Sequence, residues 1–111
     1  VLVMVSASTF IFFFFVFPTA LSVEVTVFPT TVSLSSDVQI SGKAFIEGSA
    51  ASGATVTLIE PNGNTIGLYT DNVGEFRYAW EPPQELGQYQ IRTTIEYENE
   101  VYHHSAMVTV E

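Results

Sequence analysis

Apolar and polar residues alternate along most of the chain, and the alternation restarts after each cluster of turn-forming residues. Val23, Val25 and Val27 are separated by Glu24 and Thr26, and Pro29 stops the run. Val38, Ile40, Gly42, Ala44 and Ile46 share the next parity, and the small residues from Gly48 to Gly53 read as a loop. Val56 and Leu58 follow, then Pro61-Asn62-Gly63-Asn64, then Ile66 and Leu68. After Asp71-Asn72-Val73-Gly74 the parity resumes with Phe76, Tyr78 and Trp80. A period of two sends one face of a strand to a core and the other to water. Asn-Gly and Asp-x-x-Gly segments supply the positive φ values that tight reversals need.

Glu81-Pro82-Pro83-Gln84-Glu85 interrupts the pattern for longer. Two prolines cannot lie inside a hydrogen-bonded ladder, so this segment predicts a crossing between sheets. Tyr89, Ile91, Thr93, Ile95 and Tyr97 line one face of the longest strand, Glu98-Asn99-Glu100 turns the chain, and Tyr102, His104, Ala106, Val108 and Val110 line the last. No window sustains the i, i+3, i+4 spacing of a helix. The pattern predicts an all-β domain of about seven antiparallel strands, arranged as a β-sandwich. Its expected core is aliphatic, with Phe76, Tyr78, Trp80 and Tyr89 added.

The first segment is different material. Residues 1–17 carry no charge, and Phe10 to Phe17 is a continuous apolar run ended by Pro18. Ala20 and Ser22 form a small-x-small pattern, which places a signal cleavage before Val23. The run has the length of a signal core and is slightly short for a membrane span. The chain opens on Val1-Leu2-Val3, without the usual Met and basic residues. Residues 1–22 therefore read as a signal peptide or a retained membrane anchor, and residues 23–111 as one domain outside the cytoplasm. Membrane contact is expected only through residues 1–22, if uncleaved.

Charge and cysteine content narrow the function. Twelve acidic residues against three basic ones give a net charge of −9 in 111 residues. Lys43, Arg77 and Arg92 are dispersed, so no basic face is available for a nucleic acid. There is no cysteine, which removes disulfides, thiolate metal sites and a cysteine nucleophile. Apolar packing alone must hold the domain.

Two stretches carry a resemblance. One is Gly42-Lys43-Ala44-Phe45, Gly53 to Leu58, Pro61-Asn62-Gly63, and Thr70-Asp71-Asn72-Val73-Gly74-Glu75-Phe76; the other is Leu86-Gly87-Gln88-Tyr89-Gln90-Ile91. Together they resemble the immunoglobulin-like domains of prokaryotic surface proteins and the macroglobulin-type sandwich domains. The resemblance implies a Thr-Asp-x-x-Gly-x-Phe turn between strands and a Gly-x-Tyr-x-aliphatic strand after a proline-bearing loop. It marks Gly74, Phe76, Trp80, Gly87, Tyr89 and Ile91 as fold-defining and implies a stalk, spacer, adhesin or accessory role. Tyr89 sits where such sandwiches place a tyrosine corner. Nothing resembles a macroglobulin thioester or bait region, so protease trapping is not implied.

The candidate chemistry is sparse. His103 and His104 are adjacent on a strand, so their side chains leave on opposite faces. No nucleophile-elbow sequence is present. Asp71, Asn72 and Glu75, and Glu98 and Glu100 with Glu96 and Asn99, supply oxygens that could hold Ca²⁺. Neither set has the spacing of a dedicated calcium loop, and solvated turn acids explain them. Tyr69 is the best exposed aromatic for a ligand such as a sugar ring. No cofactor is expected. The sequence reads as a non-catalytic structural or adhesive module whose partners are other surface proteins or its own copies. The alternatives are a filament subunit that donates Val23–Phe28 to a neighbour, and a carbohydrate-binding accessory domain.

Overall fold

The computed structural model describes residues 20–111, and all of the described regular structure is β. The strands are β1 (Leu21–Phe28), β2 (Thr31–Val32), β3 (Val38–Ile46), β4 (Ser49–Ala50), β5 (Thr55–Ile59), β6 (Thr65–Tyr69), β7 (Glu75–Trp80), β8 (Gly87–Tyr97) and β9 (Glu100–Val110). Seven are long, as the alternation predicts, and all pairings among those seven are antiparallel. They form two sheets: β3 lies between β1 on one side and β4 and β7 on the other, and the second sheet runs β2-β9-β8-β5-β6.

The two short strands depart from the expected pattern. β2 pairs parallel with β9 through Thr31↔Thr109 and Val32↔Val110. After Pro29 the chain leaves the first sheet and continues in the same direction along the second, so this contact cannot be antiparallel. The small-residue segment from Gly48 to Gly53 is not all loop. Glu47 and Gly48 both take left-handed φ values of 50° and 80°. That two-residue reversal folds Ser49–Ala50 back onto Phe45 and Ile46 as β4. β1 also begins two residues before the expected boundary at Val23, with Leu21 opposite Ile46 and Ser22 opposite Phe45. The rest of the expected leader, residues 1–19, lies outside the described residues.

One core serves both sheets. Val38, Ile40, Ala44, Phe76 and Trp80 come from the first sheet and Val56, Leu58, Ile91, Ile95 and Val108 from the second. Phe76, Trp80 and Ile91 are 4%, 1% and 1% exposed. Two sheets sharing one buried cluster are compatible with a β-sandwich. The Phe76 ring lies over Gly42, its cross-strand partner. A Cβ on Gly42 would come within 2.4 Å of that ring, so this strand glycine is required by the aromatic that covers it.

The sheets are joined at one corner by Thr70 and Gly74. Thr70 is buried, its Oγ1 accepts from Ala54 N–H at 2.8 Å, and its hydroxyl donates to the Ala51 carbonyl. Gly74 C=O accepts from Ala44 N–H at 2.8 Å. Gly74 has φ of 81°, and a Cβ there would sit 2.5 Å from the Ala44 carbonyl oxygen. Asp71 completes the turn, its Oδ1 accepting from Val73 N–H at 3.0 Å and Glu75 N–H at 2.8 Å.

Thr70→Val keeps the shape but strands a buried N–H and a buried C=O. Leaving such groups unpaired costs ~1–3 kcal/mol each before relaxation. Urea denaturation of Thr70→Val is expected to show a stability loss of ~1–3 kcal/mol with an unchanged m-value, and Thr31→Val, at an exposed position, a change within ~0.5 kcal/mol. Equal midpoints for the two would remove the role assigned to this corner.

Candidate functional site

The residues marked from sequence fall into three places. At one pole, Asp71, Asn72, Glu75 and Tyr69 surround the turn between β6 and β7. At the same pole of the other sheet edge, Glu98 and Glu100 flank the reversal between β8 and β9. At the opposite pole, Gly87, Tyr89 and Trp80 organise the entry into β8.

Asp71 faces its own turn: the same oxygen accepts two backbone N–H groups, so that carboxylate builds local structure. Glu75 Oε2 lies 3.8 Å from Lys43 Nζ, with both side chains about two-fifths exposed. Glu98 and Asn99 occupy left-handed φ values of 47° and 69°, a two-residue reversal in which Asn is well tolerated. Among the described residues no three His, Asp or Glu side chains converge into a group that could hold a metal ion. These acids decorate turns.

The histidines diverge, as adjacent strand residues must. His103 is exposed, with Nδ1 3.2 Å from Thr94 Oγ1 across the ladder. His104 is half-buried, and its Nδ1 meets no protein hydrogen-bond partner; Thr93 Oγ1, on the residue directly opposite, is likewise buried without one. On the outer face of the second sheet a shallow cavity of about 330 Å³ is lined by Ile59, Arg92, Thr94, His103 and Ser105. It holds no nucleophile–base–acid arrangement.

Tyr69 is 73% exposed, while Trp80 is sealed in the core and Tyr97 and Tyr102 are half-buried. Phe28, the other strongly exposed ring at 69%, lies at the opposite pole, so the two rings form no shared platform for a sugar.

The structural pole is better built. Tyr89 O–H donates to the Glu85 carbonyl at 2.9 Å, tying β8 to the proline-bearing loop four residues earlier. Gly87 has φ of 151°, and the Tyr89 hydroxyl lies 3.5 Å from where its Cβ would be. Trp80 Nε1–H donates to Glu60 Oε2 at 3.1 Å. Trp80 ends β7 in one sheet and Glu60 follows β5 in the other, so this bond crosses the core. Sequence reasoning missed Glu60, which lies twenty residues from Trp80 in a turn whose acid looks like ordinary surface charge.

No family model matches the chain, and no curated protein matches it in sequence.

Two substitutions separate scaffold from surface. Tyr89→Phe should cost about 1 kcal/mol, the net worth of one hydrogen bond, whereas Tyr69→Ala should change stability by less than ~0.5 kcal/mol. Thermal melts of the two variants compare them directly, and a larger loss at Tyr69 would reverse the assignment.

Proposed function

We propose that the chain is an exported immunoglobulin-like β-sandwich domain serving as a non-catalytic structural or adhesive module of a cell surface. The observation that carries this reading is the path of the backbone. Leu21 enters opposite Ile46 at one pole, and Val110 leaves beside Val32 at the other. The eight residues of β1 at ~3.3 Å each span roughly 26 Å between those poles. Segments attached at the two poles of such a domain would be held apart by its length.

Several features favour the immunoglobulin-like form. The chain changes sheets five times: between β1 and β2, between β2 and β3, between β4 and β5, between β6 and β7, and through the Pro82-Pro83 loop between β7 and β8. Trp80 lies between the sheets and Tyr89 bonds back to the loop that precedes it. The apolar run at residues 10–17 followed by small residues supports export.

Donation of the first strand to a neighbour is less favoured. Leu21–Phe28 pairs along its whole length with β3 of its own chain, and donation would have to break that ladder first. Among the described residues a carbohydrate site has two strongly exposed rings to draw on, Tyr69 and Phe28, and they lie at opposite poles.

Protease shaving of intact cells producing the full chain tests export. Fragments from residues 20–111 should be released by external protease without lysis. A chain that is protected until the cells are lysed, and that carries its apolar start in the cytoplasmic fraction, would overturn the reading.

A further inference from the structure

Among the described residues the longest open edge belongs to β9. Its one side pairs with β8 from Glu100 to Val110, and its other side meets, among those residues, only Thr31 and Val32 of β2, at Thr109 and Val110. Thr109 N–H reaches Thr30 C=O at 2.8 Å and Glu111 N–H reaches Val32 C=O at 2.9 Å. Odd-numbered residues of β9 thus aim their backbone groups away from β8, because an antiparallel ladder alternates these directions. Val101, His103, Ser105 and Met107 present theirs on the open side. β1 comes near β9 from the other sheet but does not pair with it.

Open edges are normally guarded by charge, proline or a bulge. Val101–Met107 contains no acid, lysine, arginine or proline, in a chain of net charge −9. The stretch is also self-complementary. Val101 and Met107 are 53% and 51% exposed, share the outer face, and lie equally far from His104. A two-fold axis through His104 sets each Val101 opposite the Met107 of a second copy and each Tyr102 opposite its Ala106. His103 then faces Ser105, which exchanges the outward N–H and C=O groups of both. Glu100 falls opposite Val108, so no acid meets an acid in the paired window. His104 meets its own copy, and a neutral imidazole donates from one nitrogen and accepts at the other.

We propose that β9 is a self-association edge, through which two copies of this chain pair antiparallel about His104 to make one continuous sheet. The proposal rests on strand geometry and stands apart from the export reading. The paired strip is narrow, so the dimer is weak and concentration-dependent, the behaviour of β-augmentation without deep side-chain pockets.

The chain lacks cysteine, so one introduced thiol reports alone. Residues opposite each other in a non-hydrogen-bonded pair lie close enough for a disulfide. The full-length chain in mild non-ionic detergent, carrying His104→Cys, should oxidise to a covalent dimer many-fold faster than the same chain carrying Gln90→Cys, a control on β8. Adding Val101→Lys with Met107→Lys places like charges opposite each other and should abolish the cross-link, as should Val101→Glu with Met107→Glu. Mixing the lysine and glutamate forms should restore it, because each lysine then faces a glutamate. The same exchange in chains that keep His104, followed by sedimentation, reads the edge without the thiol, and near-UV circular dichroism confirms folding. Equal cross-linking of the two cysteine variants, or like-charge variants that associate as well as the parent, would overturn the proposal.

Discussion

The exclusion of water from between two sheets is the constraint on which everything else depends. The chain has no cysteine to staple them, so the side chains of Ile40, Trp80, Leu58, Ile91 and Ile95, all essentially unexposed, must do it. Burial of each such side chain stabilises by ~1.5–3 kcal/mol relative to leaving it in water, and most of that is consumed by the entropy of ordering the chain. The polar contacts matter differently. Thr70 and the Trp80–Glu60 bond contribute little net attraction. They prevent the larger loss that comes from enclosing unpaired groups as the sheets close.

Backbone direction then decides how the chain threads between the sheets. Three of the five crossings between sheets fall at Pro29, at the Asp71–Gly74 turn and at Pro82-Pro83; the other two lie between β2 and β3 and between β4 and β5. Two of the crossings are fixed by local devices. Asp71 holds two amides, Gly74 supplies both a left-handed backbone and the space for the Ala44 carbonyl, and Tyr89 anchors the loop after the prolines. The same arithmetic leaves β9 with one side unpaired, because β2 is only two residues long. Length and open edge are therefore two outcomes of one topology.

Much of the fold was legible in the sequence, and the reason is period. Parity alone placed Val56, Leu58, Phe76, Trp80, Ile91 and Ile95 inward, and Asn-Gly and Asp-x-x-Gly marked two of the turns. What parity could not reveal was pairing between distant residues. β2 and β4 are too short to alternate, so neither carried a signal. Gly42 read as an ordinary inward position, while its necessity comes from the Phe76 ring across the ladder. Glu60 read as a turn acid, and its partner Trp80 is adjacent only after the sheets meet. The acids at Asp71, Glu75, Glu98 and Glu100 suggested oxygen ligands by composition, but Asp71 spends an oxygen on its own backbone and Glu75 lies near Lys43. The open side of β9 has no sequence signature except the missing charge, which becomes informative only once its edge position is known.

Native-state hydrogen exchange resolved residue by residue tests the shared core most directly. If one apolar cluster joins both sheets, the slowest amides of β3 in one sheet and of β5 and β8 in the other should open with the same free energy, equal to that of global unfolding. Amides of one sheet exchanging at a clearly lower free energy than those of the other would contradict it, since the sheets would then come apart without the core.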